Sequence, residues 1–75
     1  MVNAIVTVND KDRLMAMPTT DFDFSTAKGK KVKYVDKNDR EYHGTVIEVE
    51  EPMLVIKFDV HPSGLGQGQM LEIEE

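Results

Sequence analysis

The sequence predicts a small all-β domain, a barrel or curled sheet of about five to six short antiparallel strands. Hydrophobic residues recur with a period of two over most of the chain, no window keeps a helical period, and turn-forming residues separate the short apolar runs. A chain of 75 residues forms a single domain. Its core is thin, because a domain of this size buries only about 60–65% of its unfolded surface.

The clearest strand is "PMLVIKFDV", residues 52–60. Its alternation predicts four core residues: Leu54, Ile56, Phe58 and Val60. The preceding segment "HGTVIEVEE", residues 43–51, is a second strand, and Pro52 favours a reversal between the two, which should form a hairpin. Gly44, near the start of this strand, predicts a bulge or a sharp bend of the kind small barrels need.

Two shorter strands complete the predicted core region, residues 28–75. "KKVKYV" directs Val32 and Tyr34 inward and leaves Lys31 and Lys33 outside. "MLEIEE" directs Leu71 and Ile73 inward in the same way.

The first 27 residues either belong to the barrel or pack outside it. "NAIVTV", residues 3–8, is β-branched and strand-like. "RLMAM", residues 13–17, fits a short strand or a single helical turn, and Pro18 ends it in both cases. "DFDFS", residues 21–25, predicts a short strand whose two phenylalanines fill the core.

Charge is distributed unevenly along the chain. The net charge of −5, from 14 acidic and 9 basic residues, disfavours a protein that wraps nucleic-acid phosphates. Residues 28–40 nevertheless hold six of the nine basic side chains, whereas residues 41–75 hold eight acidic groups and one lysine, Lys57. Such a basic segment beside an acidic one can steer a ligand or pair with a neighbouring copy.

The segment "HPSGLGQG", residues 61–68, contains three glycines, which raises the question of a phosphate-binding loop. Gln69 and Met70 stand where such a loop needs Lys and Ser or Thr. Only seven residues follow Gly68, too few for the helix whose N-terminus would receive the phosphate. We therefore expect a flexible connector between two strands.

No catalytic residue, metal site or cofactor site is predicted. His43 and His61 could join Glu41 or Asp59, but their spacing matches no standard ligand pattern. The chain lacks cysteine, and its serines lie in no nucleophile-elbow motif. We expect a protein that is not an enzyme.

Basic residues interleaved with aromatic ones can bind single-stranded nucleic acid through phosphate contacts and base stacking. The candidate residues are Lys31, Lys33, Lys37, Arg40 and Tyr42.

The stretch from Gly29 to Val60 resembles the first sequence block of Sm-like proteins, small SH3-type barrels that assemble into RNA-binding rings. The shared features are a strand, a polar turn, a strand with a glycine (Gly44), a hydrophobic–acidic pair (Val49–Glu50), a methionine (Met53) and an apolar strand. The resemblance implies an SH3-like or Sm-like barrel. At the three positions that form the family's RNA pocket, this chain carries Pro52, Leu54 and Gln67 instead of an aromatic residue or histidine, an asparagine and an arginine.

Together these observations favour an interaction or assembly module whose partner is protein, either other copies of the chain or a larger complex. Docking is expected at exposed strand edges, whose unpaired backbone groups another strand can complete. The alternative is a divergent Sm-like ring that binds RNA through the Lys31–Tyr42 region. We expect a cytoplasmic protein, because the N-terminal residues resemble neither a signal peptide nor a membrane span.

Overall fold

Six strands form one closed barrel. The computed structural model describes residues 2–10, 13–62 and 64–74. The strands are β1 (Val2–Asp10), β2 (Arg13–Pro18), β3 (Lys31–Val35), β4 (Glu41–Glu50), β5 (Met53–Phe58) and β6 (Met70–Ile73). They follow the order β1-β2-β5-β4-β3-β6 around the ring, and every neighbouring pair is antiparallel. The predicted all-β barrel is confirmed.

The N-terminal hairpin is an integral part of this ring. β2 pairs with β5 from Leu14–Ile56 to Ala16–Leu54, and β1 pairs with β6 from Val2–Ile73 to Ile5–Met70. The segment "RLMAM" is therefore a strand, and the first hairpin closes the barrel between β5 and β6.

The core contains most of the residues that alternation assigned to it. Tyr34, Ile56 and Phe58 are buried, and the side chains most completely enclosed are Val6, Val32, Val46, Leu54, Pro62, Leu71 and Ile73. The prediction for Val60 is wrong, because β5 ends at Phe58 and Val60 is 68% exposed.

Two bulges interrupt the strict alternation. In β4 the register shifts between Val46 and Glu48, so that Val46 is buried, Val49 packs against the core and Ile47 turns outward. In β1 the register shifts between Val6 and Val8. The bulge of β4 thus lies at Ile47, three residues after the glycine predicted to mark it.

Gly44 instead permits a close approach of two backbones. It pairs with Phe58 of β5. A Cβ atom at this position would lie 2.7 Å from the carbonyl oxygen of Lys57 and 3.0 Å from Cα of Phe58.

The segment "DFDFS" is not a strand. Phe24–Thr26 form a 3-10 turn, and the Asp23 carboxylate accepts hydrogen bonds from the hydroxyl and the backbone N–H of Ser25. These bonds hold the pKa of Asp23 below its usual value. Phe22 and Phe24 are partly buried against the core, edge to face at 5.4 Å between centroids, so the predicted apolar role is kept in a different conformation.

The glycine-rich segment is a connector between β5 and β6, as predicted, but it is held to β1. Gly68, with φ of +89°, donates its N–H to the Val6 carbonyl at 2.9 Å, and the Val6 N–H donates to the Gln69 carbonyl at 2.9 Å. Pro62 and Leu65 are buried. Ser63, which falls within this segment, lies outside the described residues. No helix in the described part of the chain is long and apolar enough to span a membrane.

Candidate interaction surface

Closure of the ring removes the strand edges on which docking was expected. β6, the strand that completes the circuit, pairs with β1 on one side and with β3 on the other. Since a closed barrel pairs each strand on both sides, the prediction of open strand edges is wrong. The outward faces of the strands remain as candidate surfaces.

One face of the barrel is free of charge. Residues 2–9 and 14–18, which make up most of β1 and β2, contain no ionisable side chain, although 31% of the chain is charged. Four methionines of the described residues lie on strands in or next to this hairpin: Met15, Met17, Met53 and Met70. Together with Ile5 and Val8 of β1 they form what we call the methionine face.

Strand pairing arranges these side chains in two rows across the barrel. In the first row Ile5 pairs with Met70 of β6 on one side and with Met17 of β2 on the other. In the second row Met15 pairs with Val8 of β1 and with Val55 of β5. Paired residues of neighbouring strands point to the same side of a sheet, so both rows face outward, away from the buried Ala4, Val6 and Ala16.

Met53 joins the two rows. Its sulfur lies 3.5 Å from the Thr7 hydroxyl of β1, so the side chain reaches across β2 from its own strand, β5. The same hydroxyl donates to the Met15 carbonyl at 3.3 Å, which satisfies the polar group nearest to the centre of the face. The surface is therefore continuous over four strands.

The face remains accessible despite these contacts. Met70, Val8 and Met17 are 47%, 38% and 37% exposed, and the other members are half-buried. Interface cores are poor in charge and rich in methionine, whose flexible thioether adapts to different partner shapes. The methionine face shares both properties with such interface cores.

Charged residues border the methionine face at both ends of β5. Arg13 of β2 forms an ion pair with Glu50 of β4, which spans β5 and helps to explain why the outward-facing Val55 is only 7% exposed. Lys57 lies at one end of β5 and Glu51 just beyond the other, both exposed. Within the described part of the chain, neither side chain has an ion-pair partner.

Two of the lysines predicted to bind nucleic acid, Lys31 and Lys33, lie outside the methionine face and next to its β6 side. They point outward from β3, which pairs with β6 and is three positions from β2 in the strand order. The Lys33 ammonium lies 3.8 Å from the Glu41 carboxylate, and Lys33 also pairs in register with Glu72 of β6. Carboxylates thus reduce the positive potential of this face.

The other three predicted residues lie near one end of the barrel. Lys37 and Arg40 belong to the turn between β3 and β4, where the Asp36 carboxylate accepts hydrogen bonds from backbone N–H groups of the turn. Tyr42 is half-buried and stacks on Tyr34 at 6.0 Å between centroids. A groove of about 350 Å³ is lined by Arg40, Glu41, Tyr42, His43, Asp59 and Val60. The structure thus brings Arg40 and Tyr42 together but separates them from the outward side of β3.

The positions corresponding to the Sm-like RNA pocket have structural roles. Leu54 is fully buried, and Pro52 follows a cis peptide bond in the β4–β5 turn. The Gln67 side chain donates to the Thr7 carbonyl at 2.7 Å. A pocket of the family's kind is not formed by these residues.

The two histidines do not share a cluster of ligands. His43 lies 3.5 Å from Glu41 through its Nε2 atom, whereas His61 lines a separate groove with Lys57 and Asp10. Among the described residues no group of three or more His, Cys, Asp or Glu side chains is placed to hold a metal ion.

Sequence analysis missed the methionine face. Its available signal was the absence of charge over residues 2–9 and 14–18 combined with the methionines of β2. The chain matches no protein-family model and no curated protein sequence.

Proposed function

We propose that this protein is a non-enzymatic interaction and assembly module, a small barrel of the SH3-like or Sm-like kind that docks protein through its methionine face. The observation that carries the proposal is the absence of ionisable side chains over residues 2–9 of β1 and 14–18 of β2 in a chain that is otherwise rich in charge. The inward side chains of these strands already belong to the core, and contiguous apolar patches that stay exposed commonly mark interaction sites.

The geometry supports a protein partner rather than a small ligand. The methionine face is spread over four strands, and Met70, Val8 and Met17 are each more than one-third exposed. Small ligands favour concave sites that enclose most of their surface, whereas proteins bind broad apolar faces with polar rims. Arg13, Glu50, Glu51 and Lys57 provide such a rim.

A divergent Sm-like RNA-binding ring is the second candidate. It is favoured by the exposed Lys31, Lys37 and Arg40 and by the resemblance over Gly29 to Val60. Against it stand the net charge of −5 and the carboxylates beside Lys33. We rank it below the protein-docking function.

The proposal is tested by placing a photoreactive amino acid at Met17 and, in a separate variant, at Val60. The control is strict, because Val60 is apolar and 68% exposed, more than Met17 at 37%, and it lines a groove with Arg40, Tyr42 and His43 outside the methionine face. After irradiation in the native host, we expect a discrete protein adduct from Met17 and none from Val60. The adduct should disappear when Ile5→Glu is added.

Two results would contradict the proposal. One is the absence of any adduct from Met17, and the other is an equal yield from Met17 and Val60, which would indicate random collision. Mass spectrometry of the adduct identifies the captured protein and separates a second copy of the chain from a different protein.

A further inference from the structure

We infer that the protein docked on the methionine face is a second copy of this chain, in a two-fold symmetric dimer. The inference rests on the proposed function and adds the identity of the partner. It is carried by the arrangement of charge around the face, which is complementary to itself.

The two parallel rows of the face can be exchanged by a two-fold axis. The axis lies in the plane of the interface, runs perpendicular to the strands and passes midway between the rows. It places the Met70–Ile5–Met17 row of one copy on the Val8–Met15–Val55 row of the other. Each copy then contributes the same apolar surface. The charge-free parts of the two hairpins, residues 2–9 and 14–18, meet at the centre, so two chains of net charge −5 approach where their mutual repulsion is least.

The same axis brings opposite charges together at the rim. With this axis, β5 of one copy lies over β5 of the other and runs antiparallel to it. The Lys57 end of β5 in one copy therefore lies at the level of the Glu51 end of β5 in the other. Lys57 and Met53 are about 13 Å apart along the strand, which places the two charges on either side of the apolar rows. The dimer therefore gains two symmetric Lys57–Glu51 pairs, from side chains that have no ion-pair partner within the described chain.

A two-fold axis parallel to the strands gives a poorer result. It places Glu72 of one copy, at the β6 side, on the same level as the Glu50–Glu51 turn of the other. Like charges then meet at the rim, which costs affinity. The charge pattern thus selects one orientation.

A stable dimer needs more surface than the apolar side chains of the face. A standard interface takes about 800 Å² from each partner, roughly one-sixth of the accessible surface of 4812 Å². The interface therefore includes the charged rim, with Arg13, Glu50, Glu51 and Lys57.

The test is the absolute mass in solution by light scattering and sedimentation, over a wide range of concentration. We expect a dimer, and we expect Met17→Glu or Met70→Glu to raise the dimer Kd by at least about tenfold. Val60→Glu, a change at a more exposed apolar residue outside the face, should leave the Kd within about twofold. Circular dichroism of each variant verifies that the barrel is folded.

The orientation is tested by exchanging charges. Lys57→Glu and Glu51→Lys should each raise the dimer Kd by about fivefold, and the double variant should return it to within about twofold of the original value. Failure of the double variant to recover, or a dimer that persists in both Met17→Glu and Met70→Glu, would overturn the inference.

A monomer at all concentrations would also overturn it. If the Met17 photoadduct then contains a different protein, the docking function stands and only the second copy is wrong. If the Met17 site yields no adduct, both proposals fail.

Discussion

At the scale of single residues, the barrel depends on positions where a side chain is excluded rather than required. Gly44 is buried in β4 opposite Phe58, and a Cβ at this position would lie against two backbone atoms of β5 and one ring carbon of Phe58. Backbone atoms in a paired strand cannot move aside as the end of a flexible side chain can. The sequence marks this glycine by its place inside a strand, but its cause is a contact with another strand.

We therefore expect Gly44→Ala to destabilise the protein by about 1–3 kcal/mol, because the new methyl group would meet the Lys57 carbonyl at 2.7 Å. Urea denaturation measures the change in the free energy of unfolding. Gly66→Ala is the matched control, since nothing lies within 4 Å of a Cβ at Gly66. A Gly44→Ala variant as stable as the Gly66→Ala variant would show that β4 and β5 can separate without cost.

At the scale of the elements, local pattern predicted the strands well and their details less well. The inward positions of β3, β5 and β6 followed from strict alternation, and burial confirms them from Val32 to Ile73. The bulges at Thr7 and Ile47 could not be predicted from the sequence. One extra residue reverses which side chains of the rest of the strand point inward, but it leaves the composition of the strand unchanged.

The methionine face could not be assembled from local pattern for a related reason. Met70 lies beside Ile5, and Met15 beside Val55, only because the ring places β6 next to β1 and β2 next to β5. These pairings join distant parts of the chain. A single sequence shows which residues share the face of one strand, but not which strands are neighbours.

The connector between β5 and β6 shows the same limit and gives a prediction. Its glycines indicate flexibility, yet Gly68 and Val6 are joined by a backbone hydrogen bond of 2.9 Å, and Leu65 of the same connector is buried. We expect the amides of Gly68 and Val6 to exchange with solvent more than about 100-fold more slowly than that of Lys37, an exposed turn residue. Hydrogen exchange followed by NMR provides the measurement. Comparable rates at Gly68 and Lys37 would mean that the connector opens freely.

At the scale of the whole molecule, the barrel has two unlike sides. The methionine face covers β6, β1, β2 and β5, whereas the exposed lysines and the turn with Lys37 and Arg40 belong to β3 and its junction with β4. The two sides meet where β6 pairs with β3, and they are farthest apart between β2 and β3, which lie three strands apart in either direction. Variants on β1 and β2 therefore test the docking function separately from variants of Lys31, Lys37 and Arg40, which test RNA binding.

The basic side should bind single-stranded RNA weakly or not at all, because its lysines share their surface with carboxylates. Lys33 lies 3.8 Å from Glu41, Asp36 is part of the same turn as Lys37, and the net charge of the chain is −5. We expect fluorescence anisotropy with a labelled oligoribonucleotide to show no binding even at low ionic strength. Binding that falls steeply with added salt, and that is lost in the Lys31→Ala, Lys33→Ala double variant, would instead support the RNA-binding ring. A dimeric mass together with absent RNA binding would favour docking through the methionine face over that alternative, because a ring large enough to surround RNA requires more than two subunits.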